Sequence, residues 1–336
     1  MRLNYIALSI PIFFLLIGIE LLVGFLKHKK LYRFNDAITN INLGIGQQTI
    51  SIMMKGVLFV GYLFIFENRI YTFENNWISW LILFLGVDFF YYWFHRASHE
   101  INVLWAAHIV HHQSEDYNLS VALRQSWFQE WFSWMFYLPL ALIGFDPVMF
   151  VAVSTFNTLY QFWIHTTTIK TLGPLEWIIN TPSHHRVHHG SNPKYIDKNH
   201  AGSLIIWDKL FGTFAKEEEE PVYGITSPLK SWNPIWANLH YWKELWELAK
   251  QSKGLDKIKV FLKSPGWRPS YLGGFQTPQE IYAETYKKYD RYKLRHGQLY
   301  ILFVFLISLG ISSLLLFYQD TLSPIPLGAT VFYLLL

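Results

Sequence analysis

The stretch Trp77-Ile-Ser-Trp-Leu-Ile-Leu-Phe-Leu-Gly-Val-Asp-Phe-Phe-Tyr-Tyr-Trp-Phe-His-Arg-Ala-Ser-His99 decides the fold, because it passes from membrane-type to ligand-type sequence without a break. Trp77 to Phe94 is apolar and dense in aromatics, and reads as a helix crossing a hydrocarbon core that takes roughly 20 residues. It delivers His95 to the membrane surface. On a helix Asp88, Tyr92, His95 and His99 recur at i, i+4, i+7 and i+11, one stripe, so both imidazoles point the same way. Asp88 lies inside the apolar run, where an ionisable side chain is costly and usually functional. It is expected to serve the site by orienting a ligand histidine; the alternative is a helix–helix hydrogen bond.

Downstream the histidines multiply. His108, His111 and His112 form a His-x2-His-His triplet, and Thr181-Pro-Ser-His-His-Arg-Val-His-His-Gly190 repeats it as His185, His188 and His189. Positions i, i+3 and i+4 of a helix share one face, about 5–6 Å apart at Cβ, so the three rings of each triplet are expected to converge on one point. Random placement of 14 histidines in 336 residues yields about 0.02 such triplets per chain, and this chain has two. Eight or nine imidazoles exceed the needs of one metal, so a dimetal site is the economical reading. His184 precedes a triplet but is off its spacing and is left out.

The rest of the chain suits a membrane. It is 51% hydrophobic and 18% aromatic with only 15% charged residues, unlike an average soluble protein. Cysteine is absent, which removes disulfide frameworks, thiolate zinc sites and cysteine nucleophiles together. A formal charge of +4, with basic residues scattered in loops, argues against a nucleic-acid partner. Asn4 to Phe25 is an apolar run with one charge, Glu20, and is read as an anchor because no small-residue cleavage site follows it. Gln47 to Phe66 is a second, weaker span carrying Lys55. Trp131 to His165 is apolar on both sides of Gly144-Phe-Asp-Pro147 and reads as a hairpin of half-membrane or membrane-crossing helices. Leu299 to Tyr318 is a further span, and Leu322 to Leu336 begins an apolar segment that stops short, as in a truncated chain.

The expected architecture is therefore all-α: a polytopic integral membrane protein with a cytoplasmic helical cap over a histidine-rich dimetal site. Residues 1–79 are read as N-terminal anchor helices, 80–270 as the catalytic domain and 271–336 as a C-terminal linker with membrane helices. All Lys and Arg except Arg2, Lys55 and Arg69 fall on the histidine side of these spans, and the run Lys27 to Arg33 puts that side in the cytoplasm. The cap, residues 166 to 298, carries a helical pattern from Trp236 to Ser252.

Imidazole suits iron, copper, zinc and nickel alike. A buried, aromatic-rich site opening on a bilayer favours a redox metal attacking an unactivated lipid carbon, with a dizinc hydrolase as competitor. A metal store or carrier is disfavoured because the histidines gather at one face instead of threading the spans.

The combination His95-Arg-Ala-Ser-His99-Glu100, Trp105-Ala-Ala-His108-Ile-Val-His111-His112 and His185-Arg-Val-His188-His189 resembles the eight-histidine pattern of the fatty acid hydroxylase and sterol desaturase superfamily. Ser114-Glu-Asp-Tyr-Asn-Leu119, Ala122-Leu-Arg-Gln-Ser126, Leu159-Tyr-Gln-Phe-Trp-Ile-His-Thr166, Leu172-Gly-Pro-Leu-Glu176, Asn180-Thr-Pro-Ser-His184 and Leu204-Ile-Ile-Trp-Asp-Lys-Leu-Phe-Gly-Thr-Phe214 make it most similar to the ether-lipid-cleaving branch, over roughly residues 80 to 270. The resemblance implies two iron ions that use O2 to hydroxylate a lipid carbon next to the ether oxygen, a tetrahydropterin as reductant, and collapse of the product to glycerol and a fatty aldehyde. The alternative within the superfamily is a sterol, carotenoid or fatty-acyl hydroxylase or desaturase. By motif position the metal ligands are His95, His99, His108, His111, His112, His185, His188 and His189, with His165 as a ninth. Glu100 also holds a motif position and is expected to assist or bridge. Gln161 stands where the family has a histidine, and His200 where the resemblance calls for tyrosine. The membrane is the endoplasmic reticulum in a eukaryote or the inner membrane in a bacterium, with the site facing the cytoplasm. The electron donor and the oligomeric state are not legible.

Overall fold

The structure is a computed structural model that describes residues 5–290, 295–319 and 321–335. Arg2 and the side chain of Lys55, two of the basic exceptions above, lie outside the described residues, as do Asn4 and Leu336. Among the described residues there is no strand, only two isolated bridges, Ile179 with Leu204 and Gly190 with Tyr223. The helices are α1 (Tyr5–Leu26), α2 (Phe34–Glu67), α3 (Trp77–Glu100), α4 (Asn102–Ala106), α5 (Ile109–His112), α6 (Glu130–Ile143), α7 (Pro147–Trp163), α8 (Pro182–His188), α9 (Ile206–Leu210), α10 (Pro234–Gln251), α11 (Asp256–Leu262), α12 (Arg295–Tyr318) and α13 (Pro324–Leu335).

Among the described residues three helices are long and apolar enough to cross a membrane, over Leu8–Leu26, Trp77–Glu100 and His296–Tyr318. Helix α2 passes the same test only as two segments, Phe34–Met54 and Gly56–Glu67, bent by 49°. With 34 residues α2 is much longer than the stretch Gln47 to Phe66 that hydropathy marks. Its first turns look too polar for a membrane because they lie in protein instead of lipid. Asp36 and Asn40 are buried, Asn40 Nδ2 donates to Asp36 (2.9 Å) and to Ser120 Oγ (3.1 Å), and Arg124 Nη1 donates to Asn40 Oδ1 (3.0 Å).

Helices α6 and α7 form the hairpin. Asp146 caps α7, accepting from the Val148 and Met149 amides, and Pro147 occupies the first turn, where its missing N–H costs nothing. Gly144 ends α6 at φ +118°, and a Cβ there would meet Tyr71 O at 1.7 Å, so only glycine permits the turn to close against the loop after α2. Neither hairpin helix reaches the length of the three spans. Together they nevertheless run from the histidine level down to the loop carrying Arg69, where the Ile70 amide donates to Leu142 O.

The hairpin packs on α3 through Leu83, Val87, Tyr137, Leu140, Phe145, Met149 and Val153. Lipid tails are as apolar as these side chains, so close contact rather than escape from water holds the bundle together. Residue 33 marks the other end of the molecule: Arg33 Nε donates to Asp116 (2.8 Å), tying the basic run to the segment just after the first triplet. The cap rests on α4 through α10 and α11, where Leu245, Ala249 and Val260 enclose Ala106 and the Asn102 amide donates to Lys263 O. Helix α10 covers residues close to the expected Trp236 to Ser252.

Candidate metal centre

Helix α3 continues past the apolar run to Glu100, which carries His95 and His99 on one buried stripe with Asp88 and Tyr92. The two triplets sit on short helical turns, with His108 preceding α5 and His189 following α8. Nine histidines meet here, in two groups. His95, His99, His108, His112 and His188 place one ring nitrogen each within 4.8 Å of one another, and His111, His165, His185 and His189 do the same. The expectation that each triplet converges on one point is corrected by this arrangement. His108 and His112 serve the first pocket while His111 serves the second; His185 and His189 serve the second while His188 serves the first. At 100° per residue, i and i+4 lie 40° apart, whereas i+3 falls on their other side, so the i, i+4 pair faces one pocket and the i+3 ring the other.

Five of these rings have the outer nitrogen fixed by a protein acceptor, whereas buried His185 Nδ1 has none. His95 Nδ1 donates to His200 O (2.8 Å), His108 Nδ1 to Gln129 Oε1 (2.8 Å), His111 Nδ1 to Arg124 O (2.8 Å), His165 Nδ1 to Gln161 O (2.7 Å) and His188 Nδ1 to Lys198 O (2.9 Å). A backbone carbonyl only accepts, so each ring bonded to one carries its proton on Nδ1 and presents a bare lone pair at Nε2. Burial keeps the rings neutral: it pushes His108 down to about 3 and His165 to about 4, and holds His111, His112, His185, His188 and His189 well below the ordinary imidazole value.

Inward, bare lone pairs face each other. His111 Nε2 lies 3.2 Å from His165 Nε2, and His95 Nε2 lies 3.1 Å from His108 Nε2. With both protons committed outward, no hydrogen is left to sit between them, and the arrangement is repulsive unless a cation occupies the gap. Metal–imidazole bonds of about 2.1 Å at right angles bring their nitrogens about 3.0 Å apart, which matches. Buried His99 Nε2, His188 Nε2 and His189 Nε2 also have no hydrogen-bond partner, as ligand atoms awaiting a metal would. The residues fit a metal in each pocket.

Other expected residues lie elsewhere. Asp88 touches no histidine ring among the described residues. Its carboxylate accepts from Asn157 Nδ2 (2.6 Å), the Ser203 and Leu204 amides (2.6 and 3.0 Å) and Trp207 Nε1 (2.9 Å). It thus pins the loop after His200 to the membrane helices, and a Cβ at Gly202 would come within 2.9 Å of it. Glu100 does not reach either pocket: it is 48% exposed and pairs with Arg96 (2.8 Å) one turn back, because its position on α3 turns it away from the His95–His99 stripe. His184 packs on Phe214, outside both pockets. Gln161 spends its amide on Asn157 (2.8 Å to Oδ1) and accepts from Tyr91 OH (2.6 Å), so it supplies the pocket only its backbone carbonyl.

Segment 114–126 buttresses the pockets. Ser114 donates to Asp36 (2.6 Å), Arg124 is buried with its Nε on Val110 O (2.6 Å), and the Tyr117 ring stacks 5.7 Å from His165. Sequence reasoning missed Gln129 and the carbonyls of Arg124 and Lys198, since a backbone acceptor leaves no mark in side-chain identity. Glu20 gave a signal, a lone charge in an apolar run. It is buried and accepts from the Leu119 amide (2.8 Å), Tyr32 OH and Thr166 Oγ1, so it locks α1 to the segments flanking the second pocket.

The fatty acid hydroxylase family model matches residues 80–213, the span that holds all nine pocket histidines. Over 99% of its length the chain is 41% identical to an alkylglycerol monooxygenase of Xenopus tropicalis, covering 75% of that protein. It is 44% identical to the alkylglycerol monooxygenase of Danio rerio over 99% of its length and 76% of the relative, and 48% identical to that of Homo sapiens over 79% and 60%. No solved structure matches the chain. A membrane bundle whose histidines are shared crosswise between two pockets, together with these likenesses, identifies the chain as an enzyme of the fatty acid hydroxylase family, a membrane-bound lipid monooxygenase.

Proposed function

We propose that the chain is an O2-dependent alkylglycerol monooxygenase that holds one iron ion in each histidine pocket, draws electrons from a tetrahydropterin and works at the cytoplasmic face of its membrane. The observation that carries the reading is the pair of bare imidazole contacts, His111 with His165 and His95 with His108, in adjoining buried pockets at the end of the spans. The likeness to alkylglycerol monooxygenases over nearly the whole chain supports the substrate. Iron would supply the O2 activation that an unreactive C–H bond demands. The chain's own residues hold nine neutral rings in place, fix the outer protons of five of them through Gln129 and four backbone carbonyls, and keep water away by burial.

The alkyl chain enters from the bilayer between aromatic helices, with its glycerol end towards the cap. The overall change balances as one O2, two electrons and two protons giving one water and a hydroxyl on the carbon beside the ether oxygen. The hemiacetal then breaks its own C–O bond, releasing fatty aldehyde and glycerol without a hydrolytic residue. Residues 80–270 form the catalytic domain in this reading, with 1–79 as N-terminal anchor helices and 271–336 as a C-terminal linker with membrane helices. The host membrane is the endoplasmic reticulum in a eukaryotic source and the inner membrane in a bacterial one.

Iron-replete protein given alkylglycerol, O2 and reduced tetrahydropterin should release fatty aldehyde, read by mass spectrometry. A hydroxylated sterol, carotenoid or acyl chain with no aldehyde would overturn the ether-lipid assignment. Stoichiometric zinc from iron-supplied cells would overturn the oxygenase. The orientation is supported by the basic run Lys27 to Arg33 at the histidine end. Single cysteines at exposed Lys216 and Glu74 report it. Lys216→Cys should label from the cytoplasm only and Glu74→Cys from the opposite side only; the reverse pattern would invert the topology.

A further inference from the structure

One imidazole beside the first pocket has no assigned work. His200 is fully buried, and neither of its ring nitrogens makes a hydrogen bond. The Asp197 backbone carbonyl lies near the ring without reaching hydrogen-bond geometry. A ring needed only for packing would be cheaper as a phenyl, since a buried polar atom without a partner loses its hydration and recovers nothing. Its neighbours are the pocket's own members. The ring centroid is 5.0 Å from His99, 5.6 Å from His188 and 5.7 Å from His95, close to the 4.3–5.4 Å that separate the pocket's rings from one another.

The backbone of His200 already belongs to the pocket. Its carbonyl accepts the His95 Nδ1 proton (2.8 Å), and its amide donates to buried Asp208 (2.7 Å). Asp208 also takes the Ala201 amide (2.8 Å), so the loop is held on both sides of the ring.

We propose that His200 is a sixth imidazole for the ion held by His95, His99, His108, His112 and His188. The inference rests on that pocket holding a metal. As placed, the His200 nitrogens lie outside the 4.8 Å grouping of the other five, so joining the ion requires the ring to turn about its own χ angles. Six nitrogens would close that ion's coordination, while the four-histidine pocket keeps positions open. The two pockets would then differ in kind: a saturated ion beside one able to take a small exogenous ligand.

The test uses the full chain in detergent, stripped of metal and titrated anaerobically with Fe(II), with thermal unfolding followed in both states. In His200→Phe one of the two ions should bind about tenfold or more weakly and the other unchanged, by the scale on which removal of a metal site's support acts. The metal-free variant should melt at the same temperature as the parent or higher, because an unpaired imidazole has become an apolar ring. Its rise in melting temperature on loading should shrink. His200→Gln, smaller and still polar, should weaken the same ion and carries the titration if the phenylalanine variant does not fold. Unaltered binding of both ions, with metal-free and loaded protein destabilised equally, would make His200 a packing residue and overturn the inference. If the parent itself failed to take up two ions, the pocket reading would fall first, a result distinct from the variant matching the parent.

Discussion

The two histidine pockets are built from the same two triplets but are not copies. The first gathers five rings, two of them from α3, and borders His200. The second gathers four, replaces the α3 pair with His165 at the end of the hairpin, and borders the stacked rings of Tyr117 and Tyr223. Because each triplet gives two rings to one pocket and one to the other, neither pocket can form unless both triplets are docked. A fold that shares its ligands crosswise cannot hold one ion in native geometry while the other site is disassembled.

The comparison is broken most directly by removing rings. His188→Ala and His111→Ala, each the odd member of its triplet, should both abolish turnover. Metal analysis should assign the first loss to the five-ring pocket and the second to the four-ring pocket, although His111 sits beside His112. The combined variant should be no worse in turnover than either alone, since the ligands act as a unit. If His111→Ala and His112→Ala lost the same ion, the crosswise sharing would be wrong.

Acidification acts on both pockets. Unfolded imidazoles take up protons as pH falls below about 6.5, whereas folded His108 and His165 resist to about 3 and about 4, so between those limits the unfolded chain binds more protons. Stability of the metal-free protein should be flat above pH 7 and fall with acid, by about 1.4 kcal/mol per pH unit for each such ring. Thermal unfolding at pH 7.5 and 5.5 measures this, and equal midpoints would contradict it.

A finer cut distinguishes a ring from its support. Gln129→Ala removes the acceptor of His108 Nδ1 and should weaken the five-ring pocket about 10–100-fold for metal, leaving the four-ring pocket intact. The smallest effects belong to the neighbours that stay outside. His184→Ala should cost about 1 kcal/mol of stability through lost packing on Phe214 and leave metal content unchanged. Glu100→Gln should change stability by less than about 1 kcal/mol and remove no metal, because its bond to Arg96 is a half-exposed surface pair. Loss of an ion in either variant would redraw the pocket boundary.

The sequence by itself determined three membrane-length helices, the hairpin and the gathering of the motif histidines. Those features are written in local periodicity: a run of apolar residues, an Asp-Pro turn, imidazoles at helical spacing. Only the tertiary structure decided which ring serves which pocket, because a 40° or 60° step around a short helical turn has meaning only once the turn is docked. It also decided that Asp88 binds backbone amides of the loop after His200 and that Glu100 faces outward, since a carboxylate's partner comes from whatever packs against it. The acceptors that fix the imidazole protons, at Arg124, Gln161, Lys198 and His200, are backbone carbonyls common to every residue type. No sequence distinguishes one carbonyl from another until folding brings it within hydrogen-bond reach of a ring.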